Sequence, residues 1–157
     1  MSEVNVIAEK LRSEGEKFVG IFSALTDEQW QTEVYTEGAT WNIRNVLSHF
    51  VTSERGLVKL FEQIRQGGSG AADDFSIDRY NESQQAKTKD LPVAELLEKY
   101  ESTRAETVTW VSGLKESELE IVGRHPFLEQ TTLREMVKML YIHNQVHYRD
   151  IKKSIKN

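Results

Sequence analysis

The chain has 157 residues, no cysteine and a formal net charge of -5 at pH 7. Its length suffices for one domain that buries roughly two thirds of its unfolded surface, and we expect residues 1–157 to form that domain. The absence of cysteine excludes thiol nucleophiles, disulfides and iron–sulfur clusters. Since an acidic surface repels phosphate backbones, we also expect no binding of nucleic acid.

No apolar segment approaches the length of a membrane span, and the residues after Met1 lack the basic and apolar blocks of a secretion signal. We therefore expect a soluble protein of the cytoplasm that makes no membrane contact. The nearest approach to a basic patch, around Lys152 and Lys153, is typical of a helix end, where cations complement the helix dipole.

Four segments carry apolar residues at every third or fourth position, which predicts amphipathic helices. The predicted helices cover residues 3–25, 41–66, 92–113 and 131–155, and Thr40 is the expected N-cap of the second helix. No segment shows sustained alternation of apolar and polar residues over the length of a strand. We therefore expect no β-sheet.

Four amphipathic helices favour the all-α class and a four-helix bundle with its apolar stripes turned inward. Residues 67–90, between the second and third helices, are too many and too polar for a tight turn. We expect a long crossover there that leaves these two helices parallel. Its glycines indicate a surface loop, while Phe75, Ile77 and Tyr80 indicate that its second half packs against the bundle and contains a helical turn.

The last predicted helix contains His143 and His147, which are four residues apart and therefore share one face. They continue an apolar stripe formed by Leu133, Met136, Val137 and Leu140, so both imidazoles are expected to face inward. Two neutral imidazoles at this spacing can bind one transition-metal ion. His49, in the second helix, is the best candidate for a third ligand, and three ligands leave positions open to water or substrate.

Other polar side chains interrupt the apolar stripes near the middle of all four helices, which predicts a water-filled cavity inside the bundle. Glu14 and Arg104 are interpreted as a structural ion pair or a solvated edge. Ser53 has no base beside it in the sequence and is interpreted as structural. His125 falls in the predicted loop before the last helix, where we expect it to be exposed.

These motifs together resemble the DinB-like superfamily of small helical bundles. The resemblance rests on Trp41 followed eight residues later by His49, on the long crossover, and on His143 and His147 in the final helix. It covers nearly the whole chain. In that family three such histidines bind a divalent metal, usually assigned as zinc or nickel, which makes His49, His143 and His147 the expected metal ligands here.

The resemblance implies a metal-dependent enzyme with a small-molecule substrate, and a homodimer as in many relatives. One possibility is an S-transferase in which the ion activates a low-molecular-weight thiol, and this is slightly favoured by the resemblance. A second is a hydrolase in which the ion activates water. A third is a non-catalytic bundle that binds metal or a small ligand. Glu14 or Glu54 could act as a general base in either reaction.

Overall fold

The computed structural model describes residues 1–156, which form six α-helices, a short 3-10 helix and two hairpins. The helices are α1 (Glu3–Ser23), α2 (Asp27–Trp30), α3 (Ile43–Arg65), α4 (Ile77–Thr88), α5 (Val93–Ser112) and α6 (Leu133–Lys156). The strands are β1 (Glu33–Tyr35), β2 (Trp41–Asn42), β3 (Val122–His125) and β4 (Glu129–Thr132), and the 3-10 helix is Glu116–Glu120. The four long helices, α1, α3, α5 and α6, agree with the predicted helices to within two residues at each end.

The long helices form a four-helix bundle in which α3 and α5 are parallel, and this confirms the predicted crossover. Glu54 of α3 contacts Arg104 of α5, and about two turns later in both helices Glu62 contacts Trp110. Because the contacts advance in the same direction along both helices, α3 and α5 run parallel to each other. An extended connection between them is therefore required.

Helix α4, of 12 residues, occupies the second half of the crossover, where the sequence predicted a helical turn. Ser76 caps it by accepting a hydrogen bond from Arg79 N, and Tyr80 anchors it to α3 by donating to the Thr52 carbonyl at 2.8 Å. This approach requires Gly56, because a Cβ there would lie 2.5 Å from the Tyr80 hydroxyl. The helix is mostly polar, so contacts with the bundle stabilise it rather than an apolar stripe.

The two hairpins show that the expectation of no β-sheet was wrong. β1 pairs with β2 and β3 pairs with β4, both antiparallel. The strands contain two to four residues, which is too short for alternation to be visible in the sequence. The first hairpin also displaces the predicted N-cap: Asn42, at its end, accepts a hydrogen bond from Asn45 N at 2.9 Å in place of Thr40.

Apolar side chains from all four long helices form two core layers. One layer contains Val4, Ile7, Leu11, Phe61, Ile64, Val111, Met136 and Val137. The other contains Phe18, Phe22, Trp30, Ile43, Leu47, Phe50, Leu96 and Tyr100. Polar side chains at the middle of the helices lie between these two layers.

Arg104 is the centre of this polar layer and is only 4% exposed. Its guanidinium donates to Glu54 of α3 at 2.8 Å, to the Leu11 carbonyl of α1 at 2.9 Å and to Asn144 Oδ1 of α6 at 2.8 Å. The predicted pairing of Arg104 with Glu14 was therefore wrong. Of the mid-helix polar groups that suggested a water-filled cavity, Arg104 and Thr107 instead donate hydrogen bonds to Glu54.

We expect Glu54→Ala to lower the free energy of unfolding by about 3–5 kcal/mol, because it leaves the Arg104 guanidinium buried without a counter-charge. Denaturant unfolding followed by circular dichroism measures this change. The matched control is Glu106→Ala, since Glu106 is exposed on α5. A Glu54→Ala variant as stable as the control would contradict the importance of the ion pair.

His125 lies in β3 and is buried, so the predicted exposed position was wrong. Its Nδ1 accepts hydrogen bonds from the backbone N–H groups of Phe127 and Leu128, both at 3.0 Å. The side chain thereby closes the turn of the second hairpin, and only a neutral ring can accept at Nδ1. Burial lowers the pKa of His125 to about 4.

This lowered pKa makes the stability of the protein dependent on pH in a defined window. In the unfolded chain the imidazole binds a proton below its ordinary pKa of about 6.5, whereas the folded protein does so only near 4. Stability is therefore lost as the pH falls from 6.5 towards 4, by at most ~1.4 kcal/mol per pH unit from this group.

We expect His125→Asn to reduce that loss, because the Asn side-chain oxygen can accept the same two hydrogen bonds and does not titrate. Thermal unfolding of both proteins between pH 7 and pH 4 measures the difference. The other histidines contribute equally to both proteins. Identical pH dependence in the two would contradict the role of His125.

Candidate metal centre

Three imidazoles from two helices converge between α3 and α6. His49 projects from α3, and His143 and His147 project from successive turns of α6. His143 Nε2 lies 2.9 Å from His49 Nε2 and 3.0 Å from His147 Nε2, and potential ligand atoms of all three residues lie within 4.8 Å of one another. The structure thus brings together the three histidines that the sequence singled out.

Aromatic rings enclose the cluster on its inner side. The Phe50 ring centroid lies 5.9 Å from that of His143 and 5.7 Å from that of His147, and the Trp41 ring lies 5.0 Å from that of His49. His49 is buried, whereas His143 and His147 are partly exposed. His143 and His147 therefore keep part of their surface accessible to solvent.

Burial keeps the three imidazoles neutral. It lowers the pKa of His143 to about 3, with the neighbouring His147 contributing. Burial and then the other two imidazoles lower the pKa of His49 well below its usual range, although Asn81 opposes this in part. Burial also lowers the pKa of His147, against an opposite effect of Asp150. Neutral rings at pH 7 carry the lone pairs that a metal ion requires.

Tyr35 and Asp150 determine which nitrogen of His147 carries its proton. The Tyr35 hydroxyl donates to Asp150 Oδ2 at 2.6 Å, and its oxygen lies 2.7 Å from His147 Nδ1. Because the single phenolic proton is used by the carboxylate, His147 Nδ1 is the donor to the phenol oxygen. Its Nε2 is left with a free lone pair that points into the cluster. Burial and Asp150 raise the pKa of Tyr35, which keeps the phenol protonated.

Sequence reasoning missed both residues of this relay. Asp150 follows His147 by three positions, and this spacing on one helix face was a usable signal. Tyr35 lies in β1, more than a hundred residues away in the chain, and no local pattern connects it with the histidines.

The donor set fits a divalent transition-metal ion. His143 Nε2 lies close to two other Nε2 atoms but can carry at most one proton, so a single N–H must serve both contacts. A cation that accepts all three lone pairs removes this conflict. Two pairs of Nε2 atoms, at 2.9 and 3.0 Å, are close enough for both atoms of each pair to bind one ion.

The fold and the cluster together define a class of protein: a four-helix bundle with a long crossover and three inward-facing histidines. The sequence pattern described as the DinB superfamily matches residues 10–151. The chain belongs to the DinB superfamily, which confirms the resemblance that Trp41, His49 and the final histidine pair indicated. No curated protein sequence matches the chain.

Solved structures share this fold at low sequence identity. YfiT from Bacillus subtilis, described as a probable metal-dependent hydrolase with an unusual four-helix bundle topology, is 18% identical, with a TM-score of 0.78 over 99% of this chain and 89% of that one. An uncharacterized protein from Clostridium difficile 630 is 12% identical, with a TM-score of 0.75 over 99% and 97% of the two chains.

A third similar structure is the colibactin self-resistance protein ClbS, described in complex with a double-stranded DNA. It is 13% identical, with a TM-score of 0.68 over 98% of this chain and 92% of that one. At such identities the likeness extends to the fold alone. None of the helices in the described part of the chain is both long and apolar enough to cross a membrane.

Proposed function

We propose that the protein is a divalent-metal-dependent hydrolase whose ion is held by His49, His143 and His147. The observation that carries the proposal is the convergence of three neutral imidazoles at a partly exposed point of the bundle. Three neutral ligands leave the ion its full charge and leave coordination positions open. The description of YfiT as a probable metal-dependent hydrolase supports the choice of reaction.

A divalent ion bound there lowers the pKa of a water molecule or thiol and polarises a substrate oxygen. The residues of the chain supply its setting. Asp150 and Tyr35 orient His147, while Phe50 and Trp41 exclude water from the inner side of the cluster. Zinc and nickel both suit a site made only of imidazoles.

Glu14 and Glu54, which the sequence suggested as general bases, do not have that role in this proposal. Glu54 accepts hydrogen bonds from Arg104 and Thr107 within the polar layer, which gives it a structural role. Glu14 accepts a hydrogen bond from Gln145 at 2.8 Å and pairs with Lys10 at 3.2 Å. The remaining proton acceptor near the cluster is Asp150, through the Tyr35 hydroxyl.

Transfer of a low-molecular-weight thiol to a small electrophile is the second candidate reaction, and it is supported by the family resemblance. The partial exposure of His143 and His147 favours either reaction over a closed, non-catalytic metal site.

The net charge of -5 supports the proposal that the protein does not bind duplex DNA. The family resemblance supports a homodimer that uses a side of the bundle away from the histidine cluster.

A comparison of two assays tests the reaction. Metal-loaded protein is incubated with a panel of esters, amides and phosphoesters, and separately with small thiols and electrophilic acceptors. We expect hydrolysis that is lost on chelation and restored by adding the metal. Metal-dependent consumption of a thiol without any hydrolysis would overturn the hydrolase proposal in favour of S-transfer.

The ligand set is tested by single substitutions to Ala at His49, His143 and His147. We expect each variant to lose most of its bound metal and to remain helical, because the apolar layers of the core stabilise the fold. His125→Asn is the control and retains the metal content of the parent. Elemental analysis by mass spectrometry and circular dichroism give the two readouts. Stoichiometric metal in His49→Ala would disprove this ligand set.

We expect Tyr35→Phe to weaken metal binding by about 10–100-fold, because His147 loses the acceptor that fixes its tautomer. Competition with a chelator measures the affinity. Tyr148→Phe is the matched control, since Tyr148 packs on Phe18 by its ring. Equal affinities of the two variants would show that the relay does not contribute to metal binding.

A further inference from the structure

A recess that does not include the three histidines lies between α3, α4 and α5. It is a groove of about 520 Å³ with apolar side chains from three elements, namely Val51, Leu91 and Leu96. Val51 and Leu96 are buried in the core behind the groove, whereas Leu91 and Tyr80 are only partly buried and keep accessible surface. Tyr80 forms part of one wall, held there by its hydrogen bond to the Thr52 carbonyl.

Four basic side chains also line this groove: Arg55, Lys59, Lys87 and Lys99. No Asp or Glu is among the lining residues, and no carboxylate in the described part of the chain lies within 4.0 Å of any of these four cations. The whole chain carries a net charge of -5, so the positive charge of the groove is opposite in sign to the net charge of the chain. Such a concentration of one sign attracts counter-ions to the groove.

One of the four cations is already positioned. Arg55 Nε donates to Thr103 Oγ1 at 3.0 Å, which fixes the guanidinium and leaves its terminal N–H groups available. A planar guanidinium matches the oxygens of a phosphate group in a bidentate manner, while lysines act on it as mobile point charges.

We propose that this groove binds a small organic phosphate, with its apolar part on Leu91 and Tyr80 and its phosphate among the four cations. The volume lies within the roughly 300–1,000 Å³ typical of small-molecule sites. A phosphate dianion matches four unpaired cations better than the single charge of a carboxylate. A nucleic acid requires a long basic track, whereas Arg55 and Lys59 also border a neighbouring recess that contains Glu62 and Glu106, so the basic surface ends there.

The groove is separate from the three histidines. Asn81 of α4 faces His49, whereas Tyr80, Gln84 and Lys87 of the same helix line the groove. Helix α4 therefore stands between the two sites, and the proposed phosphate site does not depend on metal binding.

The experiment is a calorimetric titration of the full chain with (1-naphthylmethyl)phosphonate, which has an apolar ring system and no ester bond that could be hydrolysed. We expect saturable binding that weakens as the ionic strength rises. The uncharged 1-naphthylmethanol is expected to bind at least about tenfold more weakly, a difference of ~1.4 kcal/mol.

Two double variants locate the binding. Lys87→Gln with Lys99→Gln removes two charges from the groove and is expected to weaken phosphonate binding at least tenfold. Lys115→Gln with Lys153→Gln makes the same change in net charge at exposed positions outside the groove, and is expected to leave binding unaltered. His49→Ala is also expected to bind the phosphonate like the parent, so failure of the metal proposal would be seen separately.

Equal weakening by the two double variants would overturn the proposal, and so would equal binding of the phosphonate and the uncharged alcohol. A duplex oligonucleotide is titrated in parallel. Binding of the duplex that depends on Lys87 and Lys99, without binding of the phosphonate, would assign the groove to nucleic acid and overturn the small-molecule proposal.

Discussion

The packing of this bundle depends on the buried guanidinium of Arg104. It donates to the Leu11 carbonyl of α1, to Glu54 of α3 and to Asn144 of α6, so one side chain of α5 connects all four long helices. An unpaired charge at this depth costs several kcal/mol, which disfavours any packing that moves one partner away. Gly15 permits the close approach of α1, since a Cβ there would lie 2.7 Å from Arg104 Cγ.

The same network sets the orientation of the candidate metal centre. Asn144 faces Arg104 and also accepts a hydrogen bond from Tyr100 at 3.1 Å, which fixes the rotation of α6 about its axis. Consecutive residues of a helix point about 100° apart, so His143 and His147 are directed together towards His49 on α3. The Arg104 network and the histidine cluster thus involve neighbouring residues of α6, Asn144 and His143.

The parts of the chain outside the four long helices complete both candidate sites. The β1–β2 hairpin brings Tyr35 against His147, and the crossover helix α4 lies between the histidines and the cationic groove. The histidine cluster is neutral and enclosed by aromatic rings, whereas the groove is positively charged above an apolar surface. One small bundle therefore offers two chemically different candidate sites, a cluster of neutral imidazoles suited to a metal cation and a basic groove suited to an anion.

The sequence by itself determined the four long helices, the parallel arrangement across the crossover and the meeting of His49, His143 and His147. Helical periodicity and a four-residue spacing are local properties, and the family resemblance added the pairing of His49 with the last helix. Only the tertiary structure decided the partner of Arg104, the burial of His125 and the contact of Tyr35 with His147. Each of these depends on tertiary packing, and the short strands that carry His125 and Tyr35 are stabilised by contacts rather than by their own residue pattern.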